Sequence, residues 1–160
     1  MDALPSETRE IRLADLEATG RLGERLAALV VPGDVIALGG ALGAGKTALA
    51  RALIRAAGGG DDVPSPTFTL VQTYATPRGT IWHFDLYRLE QPEEAYELAI
   101  EDAFMDGISL IEWPDRLGAL LPEERLDVVL AMGTGATGRR ATITGHGGWA
   151  GRMSGLDRAV

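Results

Sequence analysis

The sequence predicts a three-layer α/β fold, with a mixed, mainly parallel central sheet, one antiparallel strand pair and helices on both faces. Three observations predict it. A short, wholly apolar run, Val35-Ile36-Ala37-Leu38, leads into a glycine-rich turn and then a helix-forming stretch, the order of a doubly buried strand, a loop and a helix. A second apolar run at 108–111 ends at Glu112. Two β-rich runs, 68–74 and 80–85, are separated by Ala75-Thr76-Pro77-Arg78-Gly79, which has the chemistry of a hairpin turn.

The remaining elements follow in chain order. Asp15 is placed to cap a helix in which Leu16, Leu22, Leu26, Leu29 and Val30 recur at helical spacing, with Glu17, Arg21, Glu24 and Arg25 between them. Pro32-Gly33-Asp34 breaks it before the first apolar strand. Residues 46–57 are helix formers throughout, and Gly58-Gly59-Gly60-Asp61-Asp62 stops them. Pro92 and the acids after it open a helical region over 93–105. The runs 126–132 and 140–144 bracket a Gly/Thr-rich turn and predict a last hairpin. From 146 to 160 the chain is glycine-rich with Trp149 as its large apolar residue, so a loosely ordered tail is expected.

Length and composition bound the class. With 160 residues, 46% of them hydrophobic, 1–160 is expected to be a single domain around one core. No apolar run approaches the roughly 18 residues of a membrane span, and the first ten residues carry acids where an export signal has basic residues and then an apolar stretch, so a cytoplasmic protein without membrane attachment is expected. The absence of cysteine excludes disulfides, thiolate metal sites and a cysteine nucleophile. A net charge of -8 opposes direct binding to a polyanion, because nucleic-acid affinity comes largely from Lys and Arg neutralising phosphates.

The chemistry concentrates in Gly40-Ala41-Leu42-Gly43-Ala44-Gly45-Lys46-Thr47, which fits G-x-x-x-x-G-K-[S/T]. Glycines let successive backbone N–H groups turn inward around phosphate oxygens, and the following helix points its positive end at them. This P-loop pattern predicts a nucleoside triphosphate as ligand, with Lys46 on the β- and γ-phosphates and the Thr47 hydroxyl on Mg²⁺. At this composition the pattern arises by accident roughly 0.002 times per chain, so an incidental glycine turn is rejected. Fourteen of the 15 basic residues are Arg, and Lys46 is the only lysine. A compact ammonium is therefore kept at the one position where a planar guanidinium does not fit. Such a site also needs a carboxylate at the end of a neighbouring strand, and Asp85 and Glu112 both stand there.

Beyond that loop, Ser65-Pro66-Thr67-Phe68-Thr69-Leu70-Val71, His83-Phe84-Asp85-Leu86-Tyr87-Arg88-Leu89 and Ile111-Glu112-Trp113-Pro114 follow in order. Together these runs resemble the successive motifs of the bacterial TsaE (YjeE) family of ATPases, which serve the synthesis of N6-threonylcarbamoyladenosine in tRNA. The resemblance spans about residues 11–145 and implies a P-loop NTPase domain. It implies that Gly40, Leu42, Gly43, Ala44, Gly45, Lys46, Thr47 and Ala48 surround the nucleotide phosphates, that Thr47 and Glu112 hold magnesium, and that Asp85 sits on the γ-phosphate side. Thr67 would sense the γ-phosphate from a switch-like loop over 65–69, and Trp113 would lie beside the site. The start of the first helix, around 15–19, would approach the base, and Arg139 the nucleotide. The partner it implies is the TsaB–TsaD complex, with tRNA reached only through these proteins. Two departures stand out: the family commonly has an acid where this loop has Ala41, and a second Thr where this chain has Ala48.

Two other functions share the loop. A small-molecule kinase would add an arginine-rich lid, but residues 89–105 contain acids and no Arg. A nucleotide-gated binding module would use the same residues with hydrolysis incidental. Tyr87 and Trp113 also suit ordinary core packing, and His83 suits a buried, hydrogen-bonded structural role.

Overall fold

The computed structural model describes residues 4–66 and 68–156. Seven strands form one sheet: β1 (Ser6–Leu13), β2 (Val35–Gly40), β3 (Val71–Thr76), β4 (Gly79–Asp85), β5 (Ile108–Glu112), β6 (Leu126–Met132) and β7 (Arg139–His146). Their order across the sheet is β1-β7-β6-β2-β5-β4-β3. The four central strands β6, β2, β5 and β4 are parallel, whereas β3 on one side and β7 and β1 on the other are antiparallel to their neighbours.

Side-chain alternation explains the layers. Along β2, Val35 belongs to one buried cluster and Ile36 and Leu38 to the other; Ile111 and Leu110 divide the same way on β5. Both faces are therefore apolar and both are covered. One face carries helices α1 (Leu16–Leu29) and α2 (Lys46–Ala57), which bury Leu22, Leu26, Leu49, Leu53 and Ile54. The other carries α3 (Ile100–Asp106) and the 3-10 segments Pro92–Leu98 and Pro114–Leu120, which bury Ala95, Ile100, Ala103 and Leu117. Asp15 caps α1 by accepting from Ala18 N at 2.8 Å. Glycines in the left-handed region, Gly45 and Gly58, stand at the two ends of α2.

Parallel strands put their carboxyl ends on one edge of the sheet. Gly40, Asp85, Glu112 and Met132 end β2, β4, β5 and β6 there. Because β7 and β1 are antiparallel to each other, Arg139 and Leu13 meet in register at that same edge. Residues 41–45, the start of α1 and the turn before β7 are thus gathered where ligands bind in open α/β sheets.

Several sequence expectations need correction. The first strand of the hairpin begins at Val71 rather than 68, because Leu70 takes a left-handed conformation and its N–H bonds back to Pro66 O at 2.7 Å. This leaves Phe68 exposed beneath the Arg88 guanidinium, 4.6 Å from its ring. The helical region after Pro92 breaks at Ala99, whose φ of 58° separates the 3-10 segment from α3. Strand β1 was not expected: of its inward-facing residues Glu7, Arg9, Ile11 and Leu13 only two are apolar, so its alternation is masked. Residues 147–156, expected to be loose, form the 3-10 segment Gly147–Leu156 and bury Trp149, Met153 and Leu156 against the face that carries α1. Met153 and Leu156 share the anchoring with Trp149. Arg152 crosses to the α1–β2 turn, pairing both guanidinium nitrogens with Asp34 at 2.8 Å and stacking 3.7 Å over the Trp149 ring.

Candidate functional site

The loop between β2 and α2 is shaped by its glycines. A methyl group on Gly40, where φ is +124°, would run into the Leu130 carbonyl oxygen on β6. Gly45 adopts φ 104° as it turns the chain into α2. These positions let the backbone lie against the sheet edge and present the first N–H groups of α2 to the space above it. Arg139 braces the loop from behind: its Nε donates to Ala44 O at 2.9 Å and its guanidinium also reaches Gly43 O at 3.3 Å. These bonds hold the Gly43 and Ala44 carbonyls on the Arg139 side of the loop, and Ala44 N closes a turn on Ala41 O at 3.1 Å.

In front of the loop lies a cavity of about 260 Å³ lined by Leu42, Gly43, Gly45, Lys46, Thr47, Ala48, Asp85, Tyr87, Glu112 and Trp113. Lys46 is buried, and its Nζ donates to Gly40 O at 2.6 Å and sits 3.7 Å from the centre of the Trp113 ring. Burial pushes the ammonium below the ordinary lysine value of 10.5, against the opposing pull of Glu112, Asp85 and Asp115. Thr47 Oγ1 donates to Glu112 Oε1 at 2.9 Å. Asp85 stands opposite Glu112 in the β4–β5 register, and its Oδ1 accepts from Tyr87 N at 3.1 Å. Tyr87 packs on Trp113 at 4.9 Å between ring centroids, and the Arg116 guanidinium lies 5.6 Å from the Tyr87 ring.

The fold thus brings together Lys46, Thr47, Asp85 and Glu112 from three different strand ends, with Leu42, Gly43, Gly45 and Ala48 on the same wall. Gly40 lies beneath the loop, and Ala44 is buried behind it. Arg139 does not line this cavity. It lies on the far side of the loop, in a second cavity of about 450 Å³ with Glu10, Arg12, Leu13 and Ala14. Asp15 and Thr19 serve the start of α1: one caps it and the other is buried on it. Thr67 lies outside the described residues.

The donor set fits magnesium and nucleotide phosphate. Among the described residues no group of three His, Asp or Glu side chains converges as a metal cage. Magnesium prefers one or two carboxylates with water and substrate phosphate oxygens, so the Thr47 hydroxyl beside the Glu112 carboxylate is the kind of partial ligand set it uses. The Lys46 ammonium, held by the Gly40 carbonyl beside the first turn of α2, supplies positive charge that complements phosphate.

One contact at this site escapes the sequence. His83 is fully buried with Nε2 2.7 Å from Glu112 Oε2. The sequence suits His83 to a buried hydrogen bond, but only the strand register names the partner.

Comparison with known proteins agrees with this architecture. Residues 13–141 match the family described as threonylcarbamoyl adenosine biosynthesis protein TsaE. The chain is 43% identical over 117 residues to the tRNA threonylcarbamoyladenosine biosynthesis protein TsaE of Rickettsia bellii, covering 72% of this chain and 81% of that protein. It is 35% identical over 137 residues to the protein of the same name from Bacillus subtilis, covering 85% of each. The crystal structure of YdiB from Bacillus subtilis superposes with a TM-score of 0.73 at 28% identity, covering 93% of both chains. The fold is that of a P-loop NTPase, and the chain belongs to the TsaE family.

Proposed function

We propose that this protein is a magnesium-dependent ATPase that supports tRNA N6-threonylcarbamoyladenosine biosynthesis by acting on the TsaB–TsaD complex. The observation that carries the reading is the Thr47–Glu112 hydrogen bond at the head of α2, beside Lys46 and in front of the glycine loop. A hydroxyl and a carboxylate side by side can hold one magnesium ion, and Lys46 supplies the positive charge for the β- and γ-phosphates. Bound magnesium neutralises charge on the phosphate oxygens. Lys46 binds and orients the terminal phosphates, and Trp113 and Tyr87 line the cavity beside them. Asp85, across from Glu112, would accept a hydrogen bond from the attacking water. Thr67 is assigned to the same step by its motif.

The part played in tRNA modification rests on family membership and on the names of the relatives. The acidity of the chain favours an indirect role, in which partner proteins and not this surface contact the tRNA. Among the described residues no helix is long and apolar enough to cross a membrane, and a cytoplasmic location goes with the proposed work on tRNA. The testing experiment incubates purified protein with ATP and magnesium, with and without small-molecule acceptors, and follows phosphate release and acceptor labelling. Free phosphate is expected. A labelled acceptor would reassign the protein as a kinase, and neither product with tight ATP binding would make it a nucleotide-gated module.

A further inference from the structure

His83 has no role in the reading above, yet its surroundings are specific. Its ring is closed off from solvent, Nε2 faces Glu112 Oε2 at 2.7 Å, and Nδ1 has no hydrogen-bond partner among the described residues. A carboxylate only accepts, so the hydrogen belongs on Nε2, which donates to Glu112. The register explains the contact. β4 and β5 run parallel with Asp85 opposite Glu112, and side chains two apart on a strand share a face. His83 therefore lies one step behind Asp85 and reaches Glu112 from inside the sheet, while Thr47 reaches the same carboxylate from the loop side.

Between these two donors the Glu112 side chain is tied down at the interior end of the site. A glutamate carries three rotatable bonds, and a metal ligand must hold one arrangement of them; a buried donor on one oxygen selects it before the ion arrives. We propose that His83 is a positioning residue that fixes the Glu112 carboxylate in the orientation used for magnesium. The proposal rests on the magnesium-nucleotide reading of the site and adds the residue that sets its ligand. The alternative is that His83 only fills the core, and the two differ in what they affect. Loss of packing weakens the fold and every state of the site together, whereas loss of positioning acts on magnesium alone.

The test titrates a non-hydrolysable ATP analogue into the full-length protein over a series of MgCl₂ concentrations and also without magnesium. His83→Phe, which keeps the ring and removes the donor, is expected to raise the magnesium needed for tight binding about tenfold or more. Its magnesium-free affinity should stay at the wild-type value. His83→Gln, whose amide N–H can reach the same carboxylate, should recover most of the loss. In a Glu112→Gln background, His83→Phe should add nothing. If His83→Phe does not fold, His83→Asn, whose amide stops short of Glu112, takes its place with the same expectation. Wild-type magnesium dependence in these variants, an equal loss with and without magnesium, or the full loss persisting beside Glu112→Gln would each overturn the positioning role while leaving the magnesium reading intact. Absence of any magnesium dependence in the wild-type protein would overturn that reading, and the role of His83 with it.

Discussion

The Thr47 hydroxyl donates to both oxygens of the Glu112 carboxylate, at 2.9 and 3.1 Å, across 65 positions of sequence. It ties the first turn of α2 to the end of β5. The bond depends on the parallel pairing of β2 with β5, in which Leu38 stands opposite Glu112. The loop that follows β2 then delivers Thr47 to the strand end beside it.

Glu112 and Asp85 should separate by what their loss removes. A magnesium ligand supports metal-dependent binding, whereas a group acting on the attacking water matters mainly in the transition state. Glu112→Ala is expected to weaken ATP binding in magnesium while sparing binding without it. Asp85→Ala should leave ATP binding within about twofold and lower phosphate release by a factor on the order of 10² or more. Calorimetry paired with a phosphate assay checks both, and normal hydrolysis in both variants would move these roles elsewhere.

Lys46→Ala should lose nucleotide binding, since it removes the only side-chain charge assigned to the β- and γ-phosphates and a charge-assisted contact contributes about 1.5–3 kcal/mol. Lys46→Arg should also fail. The ammonium fits between Gly40 O and the Trp113 ring, and a planar guanidinium cannot occupy that space. Wild-type affinity in either variant, measured by calorimetry, would refute the placement.

The lowered Lys46 pKa has a consequence of definite sign. Phosphate favours the charged lysine, so the bound state holds more protons than the free state between the depressed pKa and the higher bound-state value. Nucleotide affinity should therefore fall as pH rises through the depressed value, below the usual 10.5. In the same window the free protein binds fewer protons than the unfolded chain, so its own stability should rise with pH. ADP titrations without magnesium between pH 7.5 and about 10 read the first effect. A flat affinity throughout would show that Lys46 does not carry it.

Much of this was legible in the sequence because the relevant signals are local. The span of α2, the capping role of Asp15, the strand over 108–112 and the placing of Lys46 and Thr47 all follow from patterns a few residues long. The contacts that organise the site are not local. The His83–Glu112 pair, the Arg139 brace behind the loop and the close approach of Gly40 to Leu130 each need a register between distant strands. The order of the C-terminal segment is hidden for a related reason. Four glycines among its ten residues dilute the apolar signal, and the partners that order it, Asp34 and the α1 face, lie more than a hundred residues earlier.

That segment should contribute strongly to stability. Trp149→Ala removes a large side chain that is 3% exposed, a change that typically costs about 3–5 kcal/mol. Arg152→Ala leaves the mostly buried Asp34 without its paired guanidinium, at about 1–3 kcal/mol. Urea unfolding gives both values. A midpoint unchanged by either substitution would mean that residues 147–156 do not hold this packing in solution.

The final expectation concerns partnership, and its motive lies on the loop before β3. Leu70 holds a left-handed conformation, its N–H bonds to Pro66 O, and its carbonyl accepts from Asp85 N at 2.9 Å. Leu70, the residue that follows the 65–69 loop, is thereby hydrogen-bonded to the backbone of the residue assigned to hydrolysis. A protein that settles this loop around the γ-phosphate would also settle Asp85, so the isolated chain should hydrolyse ATP slowly and the TsaB–TsaD pair should raise the rate. Binding to the pair should be tighter with ATP than with ADP, because only a ligand that distinguishes two states of the loop can shift them. Phosphate release with and without the pair, joined to a pull-down in each nucleotide, measures both. Replacing Leu70 by glycine relaxes the strained turn and should weaken the stimulation more than the basal rate. Unchanged hydrolysis and no complex in either nucleotide would refute the action on TsaB–TsaD while leaving the nucleotide site in place.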